Sequence, residues 1–574
     1  MCGIVGIIGN LPENIRNEKL NKMLIAQSHR GPDFMNIYSD DNISLGHNRL
    51  SIIDLSPDAN QPFIDSSGNF ILIFNGEIYN YLEIKDQLKS DYKFKSNSDT
   101  EVLLASYIKW GAKCTEKLNG MFSFVVYDKL YKKIFAARDR FGVKPFYYTL
   151  LNDVFYFASE LKAFWVAGIP KEFNFKTLSN YFVYGSYGLP DETFYKNIKS
   201  LPAGHSIEFD TNSNNFKIFN WYDFVSNVNE VMATFNSCKT GIEKYFSEKY
   251  TELLHDTIDL RFRSDVPVGF NISGGLDSST LLSLVSHKFP SSSDVNAFTF
   301  YSNNSDYDEL PWVNELINKT SFPLNKCLLE YNKIPELIKN VSYYQDEPFG
   351  GFPTLAMSNI FKTAREKGVI VLLDGQGMDE AWAGYDYYHN NNNSLVQGVS
   401  TSPVRPEVLT DEFLKYSEPE TYPNPFNDKL KNLQYRDLFY TKIPRALRFN
   451  DRISMMHSTE LREPFLDYRL VEFAFALPDN LKFKNGVTKW SLREITKKML
   501  GDNIALAPKR LLQTPQREWI SKELKNYFNE EVTKFSEHPF INKLVVLNLW
   551  ENYLNGQNDN SFYIWQWINY NNHK

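Results

Sequence analysis

Apolar and polar positions follow two different rhythms along this chain. In the first half, Gly120–Asp128 (GMFSFVVYD) and Ile134–Asp139 (IFAARD) have the strand character of a packed sheet. Cys2–Ile8 reads as a short buried strand at the very start of the chain, where termini normally fray. In the second half the apolar runs are unbroken: Val266–Ile272, Val295–Phe300 and Val369–Leu373. Helical segments lie between them, and Ser279–Val285 follows the first directly. That order predicts a parallel, doubly wound sheet, which binds ligands beyond the carboxyl ends of its strands. Residues 208–240, with the polar piece Thr211–Asn215, predict a last hairpin and a linker. The Asn-rich neighbourhood from Tyr388 to Ser394 predicts a mobile loop.

A chain of 574 residues is too long for one ordinary core, so two domains, or three, are expected. The net charge of −7 argues against a nucleic-acid or anionic-membrane partner. Cys2, Cys114, Cys238 and Cys327 are scattered, with neither metal-ligand spacing nor a disulfide framework, which fits a reducing cytoplasm. No apolar run is long enough to span a bilayer, and the first residues lack the basic start of a signal peptide.

Candidate chemistry begins after the run Val266–Ile272, at Ser273-Gly274-Gly275-Leu276-Asp277-Ser278. A strand that turns through small residues into a helix aims backbone N–H groups and the helix dipole at whatever anion sits there. The third buried run delivers Asp374-Gly375-Gln376-Gly377-Met378-Asp379-Glu380 to the same sheet edge. Asp277 and Asp379 then face one space, and two carboxylates beside a triphosphate suit Mg²⁺. At the other end, removal of Met1 would leave Cys2 with both a thiol and an α-amine. The amine has a reference pKa of about 8, so it can serve as the thiol's base.

Longer patterns carry a family resemblance. The hexapeptide SGGLDS resembles the pyrophosphate loop of the ATP pyrophosphatase superfamily. MCGIVGI, His29–Asp33 (HRGPD), Gly46–Ile52 (GHNRLSI), Asn75–Asn80 (NGEIYN) and Ser98–Glu101 (SDTE) together resemble a class II glutamine amidotransferase domain. Asp451–Met455, Glu460–Asp467 and Lys489–Glu494 resemble later motifs of glutamine-dependent asparagine synthetases, so the resemblance covers nearly the whole chain. It implies an α+β N-terminal-nucleophile hydrolase sandwich over residues 1–208, a linker over 209–240, and an α/β doubly wound domain with helical C-terminal additions over 241–574. It further implies Cys2 as nucleophile, with Asn75 and Gly76 as oxyanion donors. Glutamine contacts fall at Arg49, Leu50, Ser51, Ile52, Asn75, Gly76, Glu77 and Asp99. ATP contacts fall at Asn271, Ser273, Gly274, Gly275, Leu276, Asp277, Ser278, Phe300, Asp374 and Gly375. Mg²⁺ falls on Asp277 and Asp379, and Lys489 and Gln376 are placed at the reacting centre. The reaction so implied hydrolyses L-glutamine, adenylates a carboxylate with ATP and passes ammonia between the sites. The resemblance also suggests a homodimer.

Two stretches depart from that pattern. Asp374-Gly375-Gln376-Gly377 stands where the compared synthetases have Ser-Gly-Glu-Gly, so Gln376 cannot act as a base. Gln345–Thr354 (QDEPFGGFPT) lacks the Thr-Ile-Arg-Ala-Ser-Thr-Pro pattern associated with aspartate, and offers no arginine for a second carboxylate. L-aspartate is the first expectation for the acceptor. The alternatives are another carboxylate, such as a uronic acid of a surface glycan, or a glutaminase or glutamine-sensing module without synthesis.

Overall fold

A computed structural model describes residues 2–237, 241–290, 294–389, 402–505 and 513–574. In the first half, two six-stranded antiparallel sheets face each other. One is ordered Lys199–Ser200, Tyr147–Leu151, Val154–Ala158, Gly3–Ile8, Ile43–Arg49, Phe34–Asp40. The other runs Asn215–Asn220, His205–Asp210, Lys133–Arg138, Gly120–Asp128, Phe70–Ile78, Phe63–Ile64. The first strand does not fray because it lies inside its sheet, hydrogen-bonded on both sides. Its alternation explains why it reads as wholly apolar. Ile4 and Ile8 face the second sheet, whereas Val5 and Ile7 pack towards the helix Glu13–Ala26. Gly6 between them leaves room for the Phe157 ring, which a Cβ would meet at 2.2 Å. The helix Asp99–Trp110 covers the outer face of the second sheet. The result is a four-layer helix–sheet–sheet–helix sandwich.

The second half holds a five-stranded parallel sheet, ordered Leu324–Leu328, Ala297–Tyr301, Val268–Asn271, Val371–Leu373, Glu460–Arg462. Phe298, Leu372 and Leu461 pack with the helix Phe352–Glu366 on one face; Ala297, Val371 and Leu373 pack with Leu276–Lys288 on the other. Both faces are therefore covered, as the unbroken apolar runs require. Strand order reverses direction beside Val268–Asn271, which opens a crevice at the carboxyl ends of that strand and of Val371–Leu373.

Residues 209–240, expected to hold a hairpin and a linker, contain the strand Asn215–Asn220 and the helix Phe224–Ser237. That helix docks on Tyr468–Phe475 through Phe224 against Phe475 and Phe235 against Phe473, with ring centroids 5.0 and 4.9 Å apart. Aromatic packing, rather than polar composition, sets the state of this segment. Cys238 lies outside the described residues; Cys2, Cys114 and Cys327 are buried free thiols. Most of the expected mobile loop also lies outside them, and Tyr388 at its start is buried, its hydroxyl donating to Asp437 at 2.8 Å. Among the described residues no helix is long and apolar enough to cross a membrane.

Candidate functional site

Two sites take shape, one in each half. The first is built on two neighbouring elements, the N-terminal strand and Phe70–Ile78. The backbone N of Cys2 donates to the Asn75 carboxamide oxygen at 3.0 Å, and the Cys2 carbonyl accepts from Arg30 Nε at 3.0 Å. The thiol faces the Leu50 carbonyl at 3.9 Å, and burial pushes its pKa up. A buried thiol so raised needs a base, which the nitrogen of the same residue can supply once removal of Met1 makes it a free α-amine. Asn75 Nδ2 is buried with no hydrogen-bond acceptor, a donor left open beside the sulfur's strand. Gly76 has φ +154°, and a Cβ there would lie 2.0 Å from the Met121 carbonyl oxygen, so only glycine fits.

Cys2, Arg49, Leu50, Ile52, Gly76, Glu77 and Asp99 line one small cavity of about 20 Å³. Ser51 does not; its N–H donates outward to Asp33 at 2.7 Å. Arg49 donates to the Ser56 carbonyl at 2.8 Å, to Asn60 Oδ1 at 2.7 Å and to the Asp54 carbonyl, so it shapes the covering loop. Two buried carboxylates share the far wall. Asp99 accepts from the Ile78 N–H at 2.9 Å, and burial pushes it up to about 6. Glu77 is raised well above the usual range by burial and by the neighbouring Glu460 and Asp99, with Arg462 at 3.8 Å opposing. Its Oε2 has no hydrogen-bond donor. A buried acceptor of this kind suits an ammonium group.

The second site lies in the crevice of the parallel sheet, in a cavity of about 370 Å³. Asn271, Ser273, Gly274, Gly275, Leu276, Asp277, Ser278, Phe300, Asp374, Gly375, Gln376, Asp379 and Lys489 all line it. The loop closes on itself: Ser278 Oγ donates to the Ser273 carbonyl at 2.8 Å and accepts from the Ser273 N–H at 3.1 Å. Helix Leu276–Lys288 then starts with its N-terminus on the cavity. Both polar atoms of the Asn271 carboxamide are buried without partners at the cavity wall. Asp374 accepts from the Gly375 N–H at 2.7 Å, and burial raises its carboxyl.

Lys489 is 4 % exposed and stands in the left-handed region (φ +54°) just before the helix Trp490–Leu500. Its ammonium donates to both Asp277 oxygens at 2.6 and 2.7 Å and pairs with Asp379 at 2.7 Å. Gly384 makes room for this triad; a Cβ there would lie 2.1 Å from Asp379 Oδ1 and 2.3 Å from Lys489 Cε.

Sequence reasoning missed several lining residues. Glu309 accepts from the Gly274 N–H at 3.2 Å, and Arg493, Glu380 and Tyr385 close the walls. Arg493 lies in the first turn of the helix Trp490–Leu500, which Lys489 immediately precedes. Of the divergent acceptor stretch, Asp346 pairs with Lys162 at 3.1 Å and Glu347 accepts from the Phe194 N–H at 2.7 Å, so both join the two halves. The Phe352 N–H donates to Gln516 Oε1 at 2.8 Å. The cavity side of the next helix is Met357 and Ile360, facing Asn450 and Gln513.

Comparison with known proteins agrees with this division. A glutamine amidotransferase domain matches residues 1–222, and asparagine synthase matches residues 249–572. The chain is 29% identical to asparagine synthetase [glutamine-hydrolyzing] 1 of Bacillus subtilis, over 98% of this chain and 95% of that protein. It is 29% identical to asparagine synthetase [glutamine-hydrolyzing] 3 of the same organism, over 88% and 85%. Amidase chry2 of Gibberella zeae is 26% identical over 93% of this chain and 92% of its own length. With a glutamine amidotransferase domain in front and more than half its length matched behind it, the chain belongs to the asparagine synthase family.

Proposed function

We propose that this protein hydrolyses glutamine at Cys2 and uses the ammonia, with ATP, to amidate a carboxylate, L-aspartate first among acceptors. The observation that carries the reading is the meeting of Lys489, Asp277 and Asp379 at the mouth of the SGGLDS loop. In the glutaminase half, once Met1 is removed, the Cys2 thiol passes its proton to the freed α-amine of the same residue and attacks the side-chain amide carbon. Asn75 Nδ2 and the Gly76 N–H receive the developing oxyanion, ammonia leaves, and water clears the thioester. Glu77 and Asp99 hold the glutamine ammonium, and Arg49 its carboxylate.

In the synthetase half, the acceptor carboxylate attacks the α-phosphorus of ATP and pyrophosphate departs. Ammonia then displaces AMP from the acyl-adenylate, leaving the amide. Asn271 has open hydrogen-bonding atoms for the nucleotide, and the Gly274–Gly275 backbone admits its phosphates. Asp277 and Asp379 fit a Mg²⁺ site of the kind that uses one or two carboxylates plus phosphate oxygens, and such an ion neutralises phosphate charge. Lys489 supplies a fixed positive charge at the same point: burial opposes its ionisation, but Asp277 and Asp379 outweigh that and raise its pKa. A cytoplasmic homodimer completes the reading.

The test is pyrophosphate release from ATP with glutamine across a panel of carboxylates, with product masses recorded. Asparagine formed from aspartate supports the first acceptor. Turnover with a uronic acid alone would support the second acceptor. Glutamine hydrolysis with no pyrophosphate from any acceptor would refute synthesis.

A further inference from the structure

Away from both sites, a cavity of about 320 Å³ opens between the two halves of the chain. It shares no lining residue with the cavity that holds Lys489 and is nearly as large. One wall is the turn from Tyr184 to Pro190, after the helix Phe175–Tyr184. The opposite wall is the first half of the helix Lys442–Met455. A cavity of this size matches those that enclose small organic ligands.

Lys442, Arg445 and Arg448 recur every three residues and so present three cations on one helix face. Arg448 is matched: it pairs with Glu347 at 3.0 Å and donates to the Pro348 carbonyl at 2.7 Å. Even so, its Nε is buried with no acceptor. Lys442 and Arg445 have no ion pair and no hydrogen-bond acceptor among the described residues. Their only contacts of that kind are rings: Lys442 lies 5.3 Å from Tyr385 and Tyr387, and Arg445 lies 6.0 Å from Tyr187. Burial, and then repulsion from Arg445, hold the Lys442 ammonium down to about 7.

The carboxylates around the cavity are already committed. Glu192 pairs with Lys176 at 2.8 Å, and Glu420 accepts from the hydroxyls of Ser186 and Tyr422. Asp437 is held by Arg436, Thr441 and two tyrosine hydroxyls. Asp437 and Glu380 lie near Lys442 and offset part of the repulsion between the two cations, but neither pairs with them; an anion placed between them would relieve the rest. We propose that this cavity binds an anionic metabolite built on a single ring, its carboxylate or phosphate lying on Lys442 and Arg445 and its ring against Tyr187. Neither Cys2 nor Lys489 borders it, so the ligand is an effector and not a reactant. Its route to the synthetase site is short. Tyr385, beneath Lys442, lines the Lys489 cavity and donates to Glu380 at 2.7 Å.

The test is calorimetric titration of the full chain with glucuronate, glucose 6-phosphate, 4-hydroxybenzoate and inorganic phosphate. At least one ring-bearing anion should bind more tightly than inorganic phosphate. The double variant Lys442→Met/Arg445→Gln should weaken it by about tenfold or more, the loss expected for charged hydrogen bonds. Its Tm should not fall, because two neighbouring like charges are gone. Should it fail to fold, Tyr187→Leu serves instead, weakening the ring-bearing anions and sparing inorganic phosphate. Asn271→Ala, on the wall of the Lys489 cavity only, should leave the affinity unchanged; loss there would put the ligand in the other cavity and overturn the proposal. No binding by any probe, phosphate binding as tight as every ring anion, or full affinity in the double variant would overturn it equally.

Discussion

Replacing Gly384 by alanine tests the synthetase geometry without removing any charged group. The new Cβ would sit 2.1 Å from Asp379 Oδ1 and 2.3 Å from Lys489 Cε, against an ordinary contact distance of 3.4 Å or more. Asp379 and Lys489 must therefore each retreat by roughly 1 Å, and misplacement of about 1 Å at a reacting centre costs on the order of a hundredfold in rate. Gly384 is buried, so overpacking should also lower stability by about 1–3 kcal/mol, an amount that leaves the chain folded. The assay compares pyrophosphate release with glutamine hydrolysis in one preparation. Synthesis should fall about a hundredfold, while glutaminase activity, whose cavity shares no residue with this one, should stay within about twofold. Synthesis near the parental rate would refute the claim that the Lys489–Asp277–Asp379 triad must close this tightly. An equal loss of both activities would refute the claim that the effect is local.

Cys2→Ala should abolish glutamine-dependent synthesis and leave ammonia-dependent synthesis intact, read as amide formed from ammonium chloride. Asn75→Ala removes the open Nδ2 donor and should lower the glutaminase kcat by about 10²- to 10³-fold, as lost oxyanion donors do; a change in KM alone would rule out that role. Burial pushes Glu463 up to about 8, so its stabilising contribution is present in acid and is lost as pH rises from about 4.5 through about 8. Glu463→Gln should therefore gain Tm relative to the parent across that window, and parallel Tm–pH curves would show that Glu463 does not titrate there.

What the sequence made legible was whatever is local. SGGLDS and Asp374–Glu380 each combine a buried strand with the turn that follows it, so their shared sheet edge could be read from periodicity and order alone. Two strands of the same sheet could not be read. Glu460–Arg462 is buried, yet two of its three residues are charged; Arg462 Nε donates to Glu460 at 2.5 Å inside the protein, which no hydropathy pattern reveals. Leu324–Leu328 is an edge strand with polar residues at its centre. The helix Phe224–Ser237 within residues 209–240 could not be read for a related reason: it owes its place to aromatic partners more than 230 positions away, Phe473 and Phe475. Gly384 looked like any other glycine until Lys489, 105 positions on, was seen to lie against it.

Arg30 shows why the two halves are not independent modules. It is fully buried. Its Nε holds the carbonyl of Cys2, and its other nitrogens bind Glu160 at 2.9 Å and Asp451 at 2.8 and 3.1 Å. Glu160 is in turn held by Lys162 and lies 3.2 Å from Arg452. Asp451 follows Asn450, which lines the Lys489 cavity, so one side chain spans from Cys2 to a helix that borders that cavity. Buried ions of this kind add little net stability when matched, but removing one partner strands the rest, at a cost of about 3–5 kcal/mol. The cluster thus holds the halves in a single register more than it strengthens either. A displacement of the helix Lys442–Met455 that pulled Asp451 away would leave Arg30 short of its strongest partner, and Arg30 also fixes the backbone of Cys2.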